Sequence, residues 1–434
     1  MHAIIVVLIF FMSVFIFIKR FKHCKNNYVY LNYHLFLLMF GLLYLGVGII
    51  IKTVAENFIG IENIGFVNLA EHTEEANSLS VFFIFIFFMF YALDKTKSMN
   101  LTPESVIFNI YSSVVIRLFK MFVFSLFIIG VGLYTQYMLH FPYGNSRENL
   151  FIYSSDFISK FKIGYLFYFS MVSCSYISLA TKKNRWFLCL IPFVLIELTA
   201  GGRIYFVQFI VFLFFSYSII SKSKINILTP LLAISLVLLL GVLRAWGTGF
   251  DSFFSLLVYT FGEFVNTSDA VLIALDRHEI SYDFVNYMAY SFSRVLPSVF
   301  SDTFFALKFT PLVEIIDDLK SIYVGKDFQV GLGGSVLADA IFLTREHSYL
   351  IYLYPIAMGL WGGIVNRFFY RKGFVSFLLL CFSVSNLFVI FRYGFFTNFM
   401  YSISNVLFFG FFFIILAIFS WGQNERHKCS NSGI

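Results

Sequence analysis

Residues 3–18 and 225–243 carry no charged side chain, and runs of this kind recur along the whole chain. About 20 consecutive apolar residues are enough for a helix to cross a bilayer. A helix also bonds each backbone N–H and C=O within its own segment, which hydrocarbon requires because no water can reach them. Such runs lie near residues 2–18, 31–51, 79–93, 121–139, 163–180, 186–200, 204–220, 225–243, 348–366, 373–391 and 397–420. The runs at 79–93, 186–200 and 204–220 are short and draw on flanking residues to complete a crossing.

Composition points the same way. Hydrophobic residues make up 59% of the chain and charged residues 13%, whereas a soluble domain carries about 25% charged residues. A water-soluble globule and a disordered chain are both excluded. The expected fold is an all-α polytopic integral membrane protein with about 11 (10–12) transmembrane helices and one large periplasmic loop. Along the sequence this gives an N-terminal bundle of about eight spans over 1–243 and a loop with interfacial helices over 244–347. A C-terminal bundle of about three spans follows over 348–421, and then a cytoplasmic tail over 422–434.

The net charge of +7 is a signal of topology, because Lys and Arg concentrate in cytoplasmic connections. Lys19, Arg20, Lys22 and Lys25 follow the first run, and Lys95, Lys97, Arg117 and Lys120 follow the third. Lys182, Lys183 and Arg185 come next, then Lys222 with Lys224, then Arg367, Arg371 and Lys372, and finally Arg426 and Lys428. Only Asp94, Glu104 and Glu425 accompany this set. The expected C-terminus is therefore cytoplasmic and, with an odd number of spans, the N-terminus lies outside. A further crossing within the amphipathic segment around 253–275 would bring both termini inside. The first run has no basic residue before it and no small-x-small site after it, so it reads as a retained helix. No basic block is interleaved with aromatics, which argues against a nucleic-acid partner.

Cys24 and Cys429 fall in cytoplasmic segments, and Cys174, Cys189 and Cys381 fall in spans, so no disulfide framework is expected. No Cys/His cluster has zinc-like spacing, and no Walker-type or Gly-x-Gly-x-x-Gly loop occurs. No metal and no cofactor are expected.

The polar chemistry gathers in the segment Arg244–Glu346, which holds 13 acids, seven basic residues and His278. Its apolar stretches 253–261 and 284–300 can lie in the membrane interface, as a cap or as a lid. Thr199-Ala-Gly-Gly-Arg203 forms a tight turn between two spans on the external side. Arg244-Ala-Trp ends the following hairpin on the same side. Arg203 and Arg244 can therefore converge on one anion, since a guanidinium pairs bidentately with phosphate and keeps its charge. Both also suit a purely interfacial anchor at the head groups.

Gly331-Leu-Gly-Gly-Ser335 followed by Val-Leu-Ala-Asp339 reads as a helix start with Ser335 as N-cap. Its free N–H groups can cradle a phosphate, with Gly333, Gly334 and Ser335 at the contact and Asp339 on the first turn. Candidate proton acceptors are His278, His347, Asp339 and Glu346, with His favoured because it titrates near neutral pH. The pair Asp317–Asp318 lacks supporting ligands and reads as a solvated turn. Glu197 is the only acid within a run and sits close to Arg203, so an ion pair and a functional role both account for it.

Together these features resemble the O-antigen polymerases of the Wzy type. The resemblance rests on the many aromatic-rich spans, Gly-Gly-Arg203 at an external hairpin and one long external loop. It also rests on Arg294-Val-Leu-Pro297 leading to Gly333-Gly-Ser335-Val-Leu-Ala-Asp339. The family often carries Glu after the Gly-Gly-Ser-type turn, where this chain has Asp339. The resemblance implies a glycosyltransferase in the bacterial inner membrane that joins undecaprenyl-diphosphate-linked repeat units at its periplasmic face. It implies diphosphate contact by Arg203, Arg244 and Arg294, a base at His347 or Asp339, and membrane lipids and a chain-length regulator as partners. An O-antigen ligase is the enzymatic rival, and a lipid-linked oligosaccharide flippase or other transporter is the non-enzymatic one. A flippase would be expected to show two comparable halves, and no internal repeat is visible.

Arg203→Ala and Arg244→Ala are expected to leave the protein inserted and to abolish long glycan chains on a lipopolysaccharide gel. Normal chain lengths at wild-type expression would remove the anion site.

Overall fold

The structure, a computed structural model, describes residues 2–26, 33–54, 70–93, 113–142, 147–199, 204–221, 262–277, 335–344, 350–369, 374–395 and 402–411. It also describes the isolated positions 235, 319, 322, 323, 399 and 415. Every regular element among these residues is helical. Among the described residues two helices are long and apolar enough to cross a membrane, Val115–Leu139 and Ile163–Thr181.

The helices are α1 (His2–Asn26), α2 (Tyr33–Gly41), a π-helical segment (Leu42–Val47), α3 (Gly48–Val54) and α4 (Ala70–Leu93). Then come α5 (Ser113–Leu139), α6 (Arg147–Lys160), α7 (Ile163–Thr181), a 3₁₀ segment (Asn184–Leu190), α8 (Ile191–Thr199) and α9 (Ile204–Ser221). The series ends with α10 (Gly262–Asp276), α11 (Val336–Thr344), α12 (Leu353–Phe369), α13 (Phe374–Ser385) and α14 (Leu387–Tyr393). The described helices overlap ten of the expected apolar runs, that at 397–420 only over residues 402–411 and the single positions 399 and 415; of the run at 225–243 only residue 235 is described.

The chain forms two compact units that interleave along the sequence. Unit 1 takes Met1–Asn100, Asn226–Arg367 and Asn386–Ser404, and unit 2 takes Leu101–Ile225, Phe368–Ser385 and Asn405–Ile434.

In unit 1 the helix that begins at Tyr33 widens into the π segment and continues as α3. Widening shifts the backbone bonds to i→i+5 and leaves carbonyls open to other donors. The Thr267 hydroxyl takes one of these openings, donating to the Tyr44 carbonyl over 2.8 Å. Gly46 lies where the Phe10 ring crosses, and a Cβ there would come within 2.5 Å of the ring. A side chain at that position would push α1 away.

Two stretches of the 244–347 segment are described, and both lie inside unit 1. α10 packs against α3, α4, the π segment and α11. Residues 267–275 of α10 are all buried, as is every residue of α11. A helix buried on all sides belongs to a bundle interior. Asp269, fully buried, is met there by Lys52 of α3, whose ammonium donates to Asp269 Oδ1.

In unit 2, α7 packs on α5, α9 and the 3₁₀ segment, and α9 packs on α8 and α13. The run at 186–200 divides into the 3₁₀ segment and α8, because Pro192 has no N–H and suits the first turn of a new α-helix. The run at 373–391 is likewise two helices. Its break is Asn386, which belongs with Ser402 to unit 1 and whose amide donates to Ser402 Oγ over 2.7 Å. α6 occupies a connection between two runs, fastened by Tyr137 and Ser154 at 2.6 Å and by Tyr153 donating to the Tyr137 carbonyl at 3.2 Å.

Large apolar side chains stand exposed in helical stripes: Ile4, Leu8, Phe11, Phe15 and Ile18 on α1, and Met121, Phe124, Ile128 and Val131 on α5. Lys120 reaches over the Trp186 ring, 5.9 Å from its centroid, and Arg185 does the same. Both contacts are within the roughly 6 Å reach of a cation–π interaction.

Removing one partner of a buried ion pair strands the other charge and costs about 3–5 kcal/mol. Lys52→Met and Asp269→Leu should therefore each lower the melting temperature of the detergent-solubilised protein. The double variant should melt above either single one, because no charge is left alone. Single variants that melt at the wild-type temperature would show that the pair contributes nothing.

Candidate functional site

Among the residues expected at the site, the structure describes Ser335 and Asp339. Arg203, Arg244, Arg294, Gly333, Gly334, His278, Glu346 and His347 lie outside the described residues.

α11 begins where the Gly331-Leu-Gly-Gly run ends. Ser335 is its N-cap: the hydroxyl accepts the Leu337 N–H at 3.3 Å, and the Ser335 carbonyl accepts the Asp339 N–H at 2.9 Å. The expected helix start and the first-turn place of Asp339 are both present. A carboxylate on the first turn is favoured there by the helix dipole.

The Asp339 side chain is 1% exposed. The Tyr354 hydroxyl, from the first turn of α12, donates to its Oδ2 over 3.3 Å. From another side the carboxyl meets Gly394, the residue that follows α14. Gly394 has φ +103° and ψ 154°, a region essentially reserved for glycine, and its N–H closes α14 on the Ile390 carbonyl at 3.1 Å. A Cβ on Gly394 would lie 2.7 Å from Asp339 Oδ2 and 2.9 Å from its Cγ. Conformation and contact both exclude a side chain there, at a cost of about 1–3 kcal/mol for the backbone strain alone. Neither Tyr354 nor Gly394 stood out in the sequence, because each acquires its role only from a distant partner.

In unit 2, Glu197 is buried near the end of α8 and faces the start of α9. Its Oε1 accepts the Ile204 N–H at 2.9 Å, and its Oε2 accepts the Tyr205 N–H. The first N–H groups of a helix have no partner within it, so one carboxylate satisfies two of them across a four-residue turn. Gln208, one turn into α9, donates to the Tyr168 hydroxyl at 2.9 Å and to the Ser385 carbonyl at 3.0 Å.

A further titratable cluster joins α4 and α10. Glu71, His72 and Asp276 bring ligand-type atoms within 4.8 Å of one another, with His72 Nε2 at 3.5 Å from Asp276 Oδ1. This is the one group among the described residues with metal-binding composition. It already has internal partners. Tyr323 donates to Asp276 Oδ2, and Arg277 stands 3.9 Å from the same oxygen while donating to the Tyr323 hydroxyl at 2.8 Å. Burial, followed by the bond to Asp276, pushes the Tyr323 hydroxyl up to about 12. A guanidinium against the carboxylate disfavours a second cation, and Glu71 is largely exposed.

Leaving buried N–H groups unsatisfied costs about 1–3 kcal/mol each. Glu197→Ala should therefore destabilise the α8–α9 hairpin by about 2–3 kcal/mol, read as a lower melting temperature. Glu197→Gln keeps one acceptor oxygen and should lose less. Equal melting of both variants and the wild type would show that the carboxylate does not hold the turn.

No protein-family model, curated protein or solved structure matches the chain.

Proposed function

We propose that the chain is a multi-pass protein of the bacterial inner membrane that polymerises O-antigen repeat units carried on undecaprenyl diphosphate. The observation that carries this reading is the start of α11. A glycine-rich run ends in a capping Ser335, and the carboxyl of Asp339 lies one turn on. This is the local structure expected of the segment on which the resemblance to Wzy-type polymerases rests. The membrane part is supported by the two long apolar helices and by the exposed apolar stripes of α1 and α5. Apolar surface of that extent belongs against lipid or another apolar partner. About eleven crossings and a periplasmic site belong to the same reading.

The chemistry follows from what glycan transfer between lipid-linked units requires. The bond between the growing glycan and its lipid diphosphate breaks, and the electron pair leaves with the diphosphate. A hydroxyl at the non-reducing end of the incoming unit forms the new glycosidic bond and gives up its proton. Charge growing on the leaving diphosphate needs fixed positive groups and N–H donors. In this proposal Arg203, Arg244 and Arg294 supply the charge, and Gly333, Gly334 and Ser335 supply the N–H groups. Either His347 or Asp339 takes the proton. Phe and Tyr, 62 and 26 of them, offer apolar grooves for the polyprenyl chain and flat faces for sugar rings.

A deletion strain profiled on a lipopolysaccharide gel tests the reading. The expected result is lipid core capped with a single repeat unit. Bare core with lipid-linked polymer accumulating would replace it with an O-antigen ligase, and repeat units left facing the cytoplasm would replace it with a flippase.

A further inference from the structure

Asp339 has the residue type of a proton acceptor but not the surroundings of one. A general base must come within about 2.6–3.2 Å of the proton it removes. Access to Oδ2 is closed on one side by the Gly394 backbone, where a Cβ would already stand 2.7 Å away, and on another by the hydroxyl of Tyr354. With the side chain 1% exposed, an acceptor sugar has no approach to it.

The same contacts place Asp339 where three helices meet. It sits on the first turn of α11, Tyr354 on the first turn of α12, and Gly394 at the end of α14, against which α11 packs. The connection 345–349 joins α11 to the turn that opens at residue 350 and leads into α12, and it carries Arg345-Glu346-His347. A bond between Asp339 and Tyr354 therefore ties together the two helices that flank this connection.

We infer that Asp339 is a positioning residue and not the base: the joint Asp339–Tyr354–Gly394 fixes α11 against α12 and α14. The inference rests on the glycan-transfer reading and removes Asp339 from the candidates for its base. The Asp339 carboxyl contributes its shape and its bond to Tyr354, both of which an amide can reproduce. A proton acceptor cannot be replaced in this way.

Rates of glycan transfer in membranes containing equal amounts of each variant decide the matter, with purified lipid-linked repeat units as substrate. Asp339→Asn should stay within about tenfold of wild type, while Asp339→Ala should fall at least about a hundredfold. Gly394→Ala, which leaves the carboxyl in the chain but forces it aside, should fall with Asp339→Ala. An Asp339→Asn protein as inactive as Asp339→Ala at equal membrane level would overturn the inference. If Asp339→Asn fails to reach the membrane, Gly394→Ala decides alone, and full activity there sinks the positioning role. The contrast between amide and alanine can be read in whichever transfer the deletion strain reveals. A ligase phenotype would thus refute polymerisation while leaving the role of Asp339 to be decided.

Discussion

A polar group buried inside the protein is costly unless a partner meets it, and such partners join elements at several places in the described parts of both units. A stranded buried charge or an unsatisfied N–H costs as much as several well-packed methylenes return. Several of the polar side chains taken inside are found where helix geometry leaves something open. Thr267 closes a carbonyl released by the π segment, and Lys52 neutralises Asp269 one turn further on. Glu197 collects two N–H groups from the start of α9, and Ser335 caps α11. These positions are joints between elements. The apolar residues around them supply the burial but cannot fix register, because hydrophobic contact has no direction.

Against this background the legible and illegible parts of the fold separate by the range of the forces involved. Apolar runs predict helices because a helix satisfies its own backbone, and α1, α4, α5, α7 and α9 follow their runs. The cap at Ser335 is equally local, written in a serine after glycines. The π segment is different, since nothing in Leu-Leu-Tyr-Leu-Gly-Val sets it apart from its neighbours. It depends on α10 and on Phe10 of α1, which arrive from elsewhere in the chain. α10 resembles an amphipathic surface helix in sequence, with Asp269 apparently facing water. Lys52, more than two hundred residues earlier, is what allows that carboxylate to be buried.

Candidate site residues show the same division. Glu197 stood out as the lone acid in an apolar run, and charge alone suggested Arg203 as its partner. The described partners are backbone N–H groups, which attract a carboxylate as a cation would but leave no mark in the sequence. Asp339 stood out through its distance from Gly333 and Gly334, and its first-turn place follows from local rules. Its surroundings do not, because Tyr354 and Gly394 come from other helices. Gly394 lies in an aromatic stretch where a glycine could as well mark a plain chain end. Its φ of +103° and its contact with the carboxyl reveal the constraint.

Residue type and residue role separate most sharply for acids in a bundle of this kind. A carboxylate can enter the interior only when other groups meet it, and the groups that meet it also close it to a substrate. Asp269, Glu197 and Asp339 all follow this pattern, each engaged by a lysine, by helix N–H groups or by a tyrosine. Arginine differs because it keeps its charge without being buried and offers several N–H donors at once. Among the described residues the buried acids therefore act as joints between helices: Asp269 between α10 and α3, Glu197 between α8 and α9, and Asp339 between α11 and α12.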